Sequence, residues 1–249
     1  MIYEWCVYNY LTINPTKSQC IIFSNRTRPD FCQNRTKWWK IYIVSVVKYL
    51  GIYLDSKLNL SHQLTQVNDK LSQICGVTWK LTRKFNVNTA KIFYFAFAYS
   101  HISYGISVWG GIFLTHNCSR TFSLHKRIIM NLFSWHFPKD DFKSICEKLY
   151  ILSVIDIYKL NLAVLLYNMK NNNFLSDIEF EPYEKCYHMR NDNELKVPFP
   201  RTNVLKMHFN YTMPLTWNSI PLEIRHQNSE TKFKNSYKAH LLSEFKKSA

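Results

Sequence analysis

The stretch Val47-Lys48-Tyr49-Leu50-Gly51-Ile52-Tyr53-Leu54-Asp55 determines how the N-terminal part of this chain is expected to fold. Its β-branched, aromatic and aliphatic residues favour strands, and Gly51 lies among them. An isolated glycine inside a strand pattern indicates a bulge, a tight bend or the close approach of another backbone. Asp55 ends the run, and a long amphipathic segment begins near Ser61. The pattern therefore predicts a short hairpin that leads into a long helix.

The composition indicates a folded, strongly basic protein. The chain has 249 residues, of which 47% are hydrophobic and 16% aromatic, so it can bury a sizeable core. It contains only 5 glycines, which argues against an enzyme built on a phosphate-cradling glycine loop. The net charge of +15 favours an anionic partner, most commonly nucleic acid. A basic protein whose charge is scattered over a solvated surface is the alternative.

The cysteines and histidines do not form a predicted metal site. The seven cysteines are too far apart for a zinc or CxxC motif, and the histidines show no helical i, i+4 pair. The odd cysteine number and the lack of a secretory leader predict reduced thiols in the cytoplasm or nucleus, and not a secreted protein. The apolar run over 92–109 is interrupted by serines and His101, so we expect a buried helix there and no membrane span.

From Ser61 onward, apolar residues recur every three or four positions, and this period predicts a long helix. The apolar stripe consists of Leu64, Val67, Leu71, Ile74, Thr78, Leu81 and Phe85. Its C-terminal end carries Lys80, Arg83 and Lys84, which can either stabilise the helix dipole or contact phosphate. Thr89 is expected to cap a second helix, which runs to about Trp109. Further helices are expected over 117–135, 140–149 and 153–170.

The C-terminal part is expected to be irregular before a last helix. Residues 174–212 are polar and contain three prolines, so little regular structure is predicted there. A turn is expected over 217–221 and a helix from Ser229 to Lys247. The fold class is therefore α+β, with a small N-terminal antiparallel sheet followed by a mostly helical region. The expected divisions are 1–60, 61–172 and 173–249.

Four patches of the sequence carry recognisable motifs. They are, in order, Trp5 with Leu11, Asn14-Pro15-Thr16-Lys17-Ser18 and Ile21-Ile22-Phe23; Tyr49 to Asp55 with Leu58 and His62; Ile92 to Trp109; and Trp217 to Arg225 with Phe233-Lys234. The first resembles polymerase motif D, the second the "YLG-x-x-x-D" signature with its primer-grip hairpin, the third the thumb, and the fourth the "WN-x-LP-x-x-IR…FK" ending. Taken in this order, the patches resemble the C-terminal part of a reverse transcriptase from a non-LTR retrotransposon of the jockey-like group.

The resemblance implies a truncated RNA-directed DNA polymerase that is inactive alone. Such polymerases hold two metal ions with carboxylates, and in the family these carboxylates precede motif D, which here would place them before Met1. We therefore expect no cofactor in this chain, with magnesium required only by a full-length family member. Asp140-Asp141 mimics the missing pair, but it follows both the primer-grip patch and a helix. We therefore expect it to act as a first-turn partner of a helix dipole and not as a metal site.

The resemblance also assigns candidate site residues. Lys17 matches the motif D position that could donate a proton to the leaving pyrophosphate; an exposed turn lysine is the alternative. Lys48, Tyr49 and Gly51 are the primer-grip candidates, and Lys80, Arg83 and Lys84 are thumb-like phosphate contacts. For Tyr49 and Gly51, core packing and a structural bend are equally open.

The implied partner is RNA or an RNA–DNA hybrid, with no membrane and no small-molecule substrate. Two alternatives stay open. One is a basic helical protein-interaction module that binds an acidic protein, and the other is a pseudogene translation without function.

Overall fold

The computed structural model of the protein describes residues 2–14, 16–24, 42–81, 83–114, 118–172, 180 and 194–247. This part is mostly helical, with short strands near the N-terminus, so the predicted α+β class is confirmed. The chain divides into two compact units, which we call unit 1 (Met1–Leu64) and unit 2 (Thr65–Ala249). The three-way division expected from the sequence stays a prediction.

Unit 1 contains a short helix and two separate strand pairs. Its elements are α1 (Ile2–Tyr8), β1 (Gln19–Cys20), β2 (Tyr42–Ile43), β3 (Val46–Tyr49) and β4 (Ile52–Asp55). Strands β3 and β4 pair antiparallel, as predicted, whereas β1 and β2 pair parallel. The predicted small antiparallel sheet is therefore present as β3–β4, whereas the separate parallel pair β1–β2 was not predicted. A parallel pair needs a long connection, and here 21 residues separate Cys20 from Tyr42.

The β3–β4 hairpin turns at Leu50 and Gly51. Both residues have positive φ, 46° and 83°, which is the backbone of a type I′ turn. This two-residue turn matches the twist of the strands and pairs Tyr49 with Ile52 and Val46 with Asp55. Gly51 therefore provides a tight bend, which is one of the three roles that the sequence left open for it.

Unit 2 is helical in the part that the structure describes. Helix α2 begins at Ser61, so the boundary between the units falls in its first turn. The elements are α2 (Ser61–Leu81), α3 (Val87–Phe93), a π-helical segment (Tyr94–Tyr99), α4 (Ser100–Ser103), α5 (Ile106–Trp109), a 3₁₀ turn (Gly110–Leu114), α6 (Ser119–Phe133), α7 (Phe142–Leu149), α8 (Val154–Asn172), α9 (Asn203–Met207), α10 (Phe209–Asn218), α11 (Leu222–Arg225) and α12 (Glu230–Lys247).

Helix α8 lies in the core of unit 2, where it packs against α5, α10 and α12. Tyr167 of α8 stacks on Phe233 of α12 with ring centroids 4.6 Å apart, and Trp217 of α10 lies 6.1 Å from the same ring. By length and composition alone, the segment Phe142–Asn171 could cross a membrane. However, 61% of its most apolar 18-residue stretch is buried inside the fold, as is typical of a core helix. The segment is therefore weak evidence for a membrane span.

The second predicted helix differs from the expectation in its start and its continuity. Thr89 was the expected N-cap, but the observed N-cap is Asn86. The side-chain oxygen of Asn86 accepts a hydrogen bond of 2.8 Å from the backbone amide of Thr89. The helical path then breaks at Gly105, which has a φ of 60°. A left-handed residue cannot continue a right-handed helix, and glycine adopts this conformation at low cost.

The predicted irregular segment over 174–212 contains two helices, so that expectation is wrong for its C-terminal part. Helix α9 is capped by Thr202, whose hydroxyl accepts a bond from the amide of Leu205, and α10 follows directly. Pro214 lies inside α10, where its missing amide removes one helix bond. Residues 173–179 and 181–193 lie outside the described residues.

Candidate nucleic-acid interface

Lys17 lies on a turn that the side chain of Asn14 organises. The Asn14 Oδ1 atom accepts hydrogen bonds from the amides of Thr16 (3.0 Å) and Lys17 (3.3 Å), an arrangement that mimics a backbone turn. Pro15, which the sequence placed in this turn, lies outside the described residues. The Lys17 side chain is exposed. Within the described part of the chain, no group of three or more metal-ligating side chains comes together, and the catalytic role of Lys17 stays a prediction.

The primer-grip candidates lie at the exposed end of the hairpin. Tyr49 is 63% exposed, so it does not pack in the core of unit 1. Lys48 is also exposed, and its ammonium lies 5.4 Å from the ring centroid of Tyr53 on the partner strand. Gly51 forms the turn beside them. The end of the hairpin therefore exposes an ammonium group, a phenol and a glycine on one short element.

Asp55, the acidic residue of the "YLG-x-x-x-D" signature, organises the connection between the hairpin and α2. Its buried carboxylate accepts hydrogen bonds from the amides of Lys57 (3.1 Å), Asn59 (3.1 Å) and Leu60 (2.7 Å). A carboxylate that binds three backbone amides holds a loop in one conformation. The amide of Tyr53 also donates to the side-chain oxygen of Gln63, at 3.0 Å. The signature aspartate thus has a structural role here.

Helices α2 and α6 are parallel neighbours in unit 2. Near their N-termini, the Thr121 hydroxyl donates to Asn68 Oδ1 at 2.8 Å. Further along, the Asn131 amide donates to Thr78 Oγ1 at 3.2 Å, and beyond both helices His136 Nε2 lies 2.8 Å from the carbonyl oxygen of Phe85. The contacts advance in the same direction along both helices, so the two run parallel.

An open groove of about 600 Å³ lies between α2 and α6, and we call it the α2–α6 groove. It is lined by Ser72, Cys75, Gly76 and Trp79 from α2 and by Leu124, Arg127 and Asn131 from α6. Trp79 is 73% exposed, although indoles are usually largely buried. The groove therefore combines an exposed indole, a guanidinium and a glycine.

The three predicted phosphate contacts of unit 2 lie at the C-terminal end of α2. Lys80 is in the last turn, and Arg83 and Lys84 follow the helix; all three are exposed. The Arg83 guanidinium lies 4.3 Å from the ring centroid of Trp135, which is itself 55% exposed. This cation–π contact restrains the Arg83 side chain while leaving its charge accessible.

The sequence prediction missed Gly76, Trp79, Arg127 and Trp135, although a signal for this surface was present. Residues 70–139 contain no Asp or Glu, whereas they contain nine cations. These are Lys70, Lys80, Arg83, Lys84, Lys91, Arg120, Lys126, Arg127 and Lys139. Such a stretch builds a strongly positive surface wherever its helices are exposed.

The acidic residues that flank this stretch are engaged in local interactions. Asp69 Oδ1 lies 3.9 Å from Arg120 Nη2. Asp140 Oδ2 accepts a hydrogen bond of 2.5 Å from Lys148 Nζ, and this bond lowers the pKa of the Asp140 carboxyl. Asp141 caps α7 by accepting a 3.0 Å hydrogen bond from the amide of Ser144. The Asp140-Asp141 pair therefore has the helix-terminus role that the sequence predicted.

Two buried groups of unit 2 are unsuited to catalysis. Burial lowers the pKa of His125 to about 4 and raises the pKa of the Cys146 thiol to about 12. Near neutral pH, His125 is uncharged and Cys146 is a protonated thiol, which is a poor nucleophile. His125 Nε2 lies 2.8 Å from the Tyr94 hydroxyl oxygen, so this pair joins α6 to the π-helical segment.

The fourth resembling patch forms a structural cluster at the C-terminal end of α10. The Asn218 side chain bonds the backbone of Leu195 in both directions, at 2.9 and 2.8 Å. Arg225 donates to the carbonyl oxygens of Ile220 (2.6 Å) and Asn218 (2.8 Å), and Trp217 is buried. These residues fix the turn between α10 and α11.

No protein-family model, curated protein or solved structure matches this chain. The likeness to reverse transcriptases therefore rests on the four patches of the sequence.

Proposed function

We propose that this chain corresponds to the C-terminal part of a non-LTR retrotransposon reverse transcriptase, and that it binds RNA or an RNA–DNA hybrid without polymerising DNA on its own. Four patches in the family's order support the assignment. The four patches resemble the part of these polymerases that follows the metal-binding carboxylates, which is why we propose that this part does not polymerise DNA by itself. We also propose that the chain is an intracellular protein of the cytoplasm or nucleus, with its cysteine thiols reduced.

The observation that carries the binding proposal is the positive surface at the C-terminal end of α2. Lys80, Arg83 and Lys84 are exposed there, in a stretch of 70 residues, 70–139, without a carboxylate side chain. Arginine and lysine contacts to phosphates supply most of the sequence-independent affinity of such proteins. The hairpin residues Lys48, Tyr49 and Gly51 of unit 1 are proposed to contact the sugar–phosphate backbone as well.

A salt titration tests the binding proposal. Affinity for a 20-nucleotide RNA and for an RNA–DNA hybrid is measured by filter binding at 50 and at 200 mM salt. If four phosphates are neutralised, we expect affinity to fall about 100-fold between these conditions. The combined change Lys80→Gln, Arg83→Gln and Lys84→Gln should weaken binding and lower the salt slope by up to about three.

The matched control removes three exposed lysines of α12 by Lys232→Gln, Lys234→Gln and Lys247→Gln, which changes the net charge equally. This variant should keep most of its affinity. Equal losses in both variants would mean that the charge acts diffusely, and the absence of binding at 50 mM salt would refute the proposal.

A primer-extension assay with magnesium tests the second half of the proposal. We expect no template-directed incorporation of nucleotides by the purified chain. Incorporation above background would show that the chain holds its own catalytic metal site, and the assignment as an inactive fragment would then be wrong.

A basic protein-interaction module is the second candidate function. The observation that favours it is the exposure of Trp5, Tyr8 and Tyr10 in unit 1, because exposed aromatic residues often mark protein interfaces. Poly-glutamate of matched charge separates the candidates: it should compete with RNA only weakly if the surface is shaped for nucleic acid.

A further inference from the structure

The α2–α6 groove combines an exposed indole with a guanidinium group, so it suits a ligand that carries a flat ring next to an anionic group. We propose that it binds one unpaired nucleobase of a single-stranded RNA or DNA segment. In this arrangement the base stacks on Trp79, and the neighbouring phosphates contact Arg127 and Lys80. This inference rests on the proposed nucleic-acid binding and makes it specific, because a base held in a helical duplex could not enter the groove.

Trp79 supplies the stacking surface. It lies on the α2 wall of the groove and is 73% exposed, whereas Trp135 has its ring covered by the Arg83 guanidinium. Bases of every type stack on such indoles, so the contact is tolerant of sequence. The volume of about 600 Å³ falls within the range of roughly 300–1,000 Å³ that is typical of small-ligand sites.

The surrounding charge selects a nucleic acid over an apolar peptide. Arg127 lines the groove, and Lys80, which follows Trp79 in the sequence of α2, is exposed. The α2 residues from Lys70 onward and the whole of α6 contribute no carboxylate. A polyanion with an exposed aromatic ring therefore complements this groove in both charge and shape.

Gly76 provides a way to fill the groove without disturbing the fold. Apart from its chain neighbours and the backbone of its own helix, a Cβ atom built on Gly76 meets no atom within 4 Å, so a side chain added there extends into open space. Gly76 also lies inside α2, where glycine is less favourable than alanine, so the alanine variant should not destabilise the helix. Gly76→Ala should therefore leave the groove open, and Gly76→Phe should occupy it; circular dichroism and thermal unfolding check that both variants fold.

The test uses two oligonucleotides with the same number of phosphates. One is a 15-nucleotide oligouridylate, and the other is a 15-unit abasic strand that has no bases. We expect the full chain to bind the oligouridylate about tenfold more tightly, as measured by fluorescence anisotropy at fixed salt. Trp79→Leu and Gly76→Phe should remove this preference without changing the affinity for the abasic strand, and Gly76→Ala should keep it.

Each other outcome separates the two proposals. Equal binding of the two strands by the unchanged protein, with a normal salt slope, would refute the base site and leave the phosphate-binding proposal intact. No binding of either strand would refute both. Displacement of the oligouridylate, but not of the abasic strand, by an acidic peptide that contains phenylalanine would show that the groove binds a protein side chain, and would overturn this inference.

Discussion

His125 of α6 is a buried titratable residue whose environment opposes its protonation. Its Nε2 lies 2.8 Å from the hydroxyl oxygen of Tyr94, and burial lowers the pKa of His125 to about 4. Burial also raises the pKa of the Tyr94 hydroxyl well above its ordinary value. Both side chains are therefore neutral in the folded protein near pH 7, and their hydrogen bond ties α6 to the π-helical segment.

The stability of the protein should depend on the protonation of His125. In the unfolded chain the His125 pKa returns to about 6.5, so the unfolded state takes up the proton first as the pH falls. The contribution to the free energy of unfolding is complete above pH 6.5 and is lost as the pH falls towards 4, by about 3 kcal/mol in total. Urea unfolding at several pH values measures this loss. His125→Gln should show a flatter pH dependence than the unchanged protein, and parallel curves would contradict the prediction.

At the scale of the element, the β3–β4 hairpin carries strain at its turn. Leu50 has a φ of 46°, a conformation that asparagine tolerates much better than leucine, and its side chain is 74% exposed. Leu50→Asn should therefore stabilise the hairpin by about 0.5–1 kcal/mol. Hydrogen exchange at the amides of β3 and β4 measures the effect. Leu50→Val is the control, because a β-branched residue adopts positive φ less readily, and it should speed exchange; a slower exchange in both variants would argue against turn strain.

Elements with a clear period were predictable from the sequence, whereas those that depend on distant contacts were not. The period of three and four predicted α2, and Val67, Leu71 and Ile74 of its stripe are buried. Helix α10 was missed because its first residues belong to a polar, proline-containing stretch and its last ones to an expected turn, and its formation is supported by contacts that the sequence does not reveal. These include the burial of Trp217 and the bonds between Asn218 and the distant Leu195.

Only part of the candidate site was predictable, because some of its residues are neighbours in sequence and others meet only in the fold. Lys80, Arg83 and Lys84 were predicted because they cluster along the chain at a helix end. Trp79 and Arg127 belong to different helices, and their juxtaposition requires that α2 and α6 run parallel, which pairs such as Asn68 and Thr121 determine. Buried side-chain hydrogen bonds between distant residues leave no periodic pattern in the sequence.

At the scale of the whole molecule, the two units differ in their cores. Among the described residues of unit 1, the buried apolar side chains are Cys6 and Leu60, whereas unit 2 buries apolar residues on nearly every helix. Because buried apolar area is the main source of folding free energy, the described part of unit 1 contributes little to its own stability. Large aromatic side chains of unit 1, such as Trp5 and Tyr8, are exposed instead.

This asymmetry predicts that the units open separately. Native-state hydrogen exchange should give the amides of β3 and β4 an opening free energy several kcal/mol below that of the amides of α8, because local opening of unit 1 exposes little apolar surface. The dependence of exchange on urea should also be weaker for the hairpin than for α8, since the slope reports the surface exposed on opening. Hairpin amides that exchange only with global unfolding, with the same urea slope as α8, would mean that unit 1 is stabilised by more than its own buried side chains.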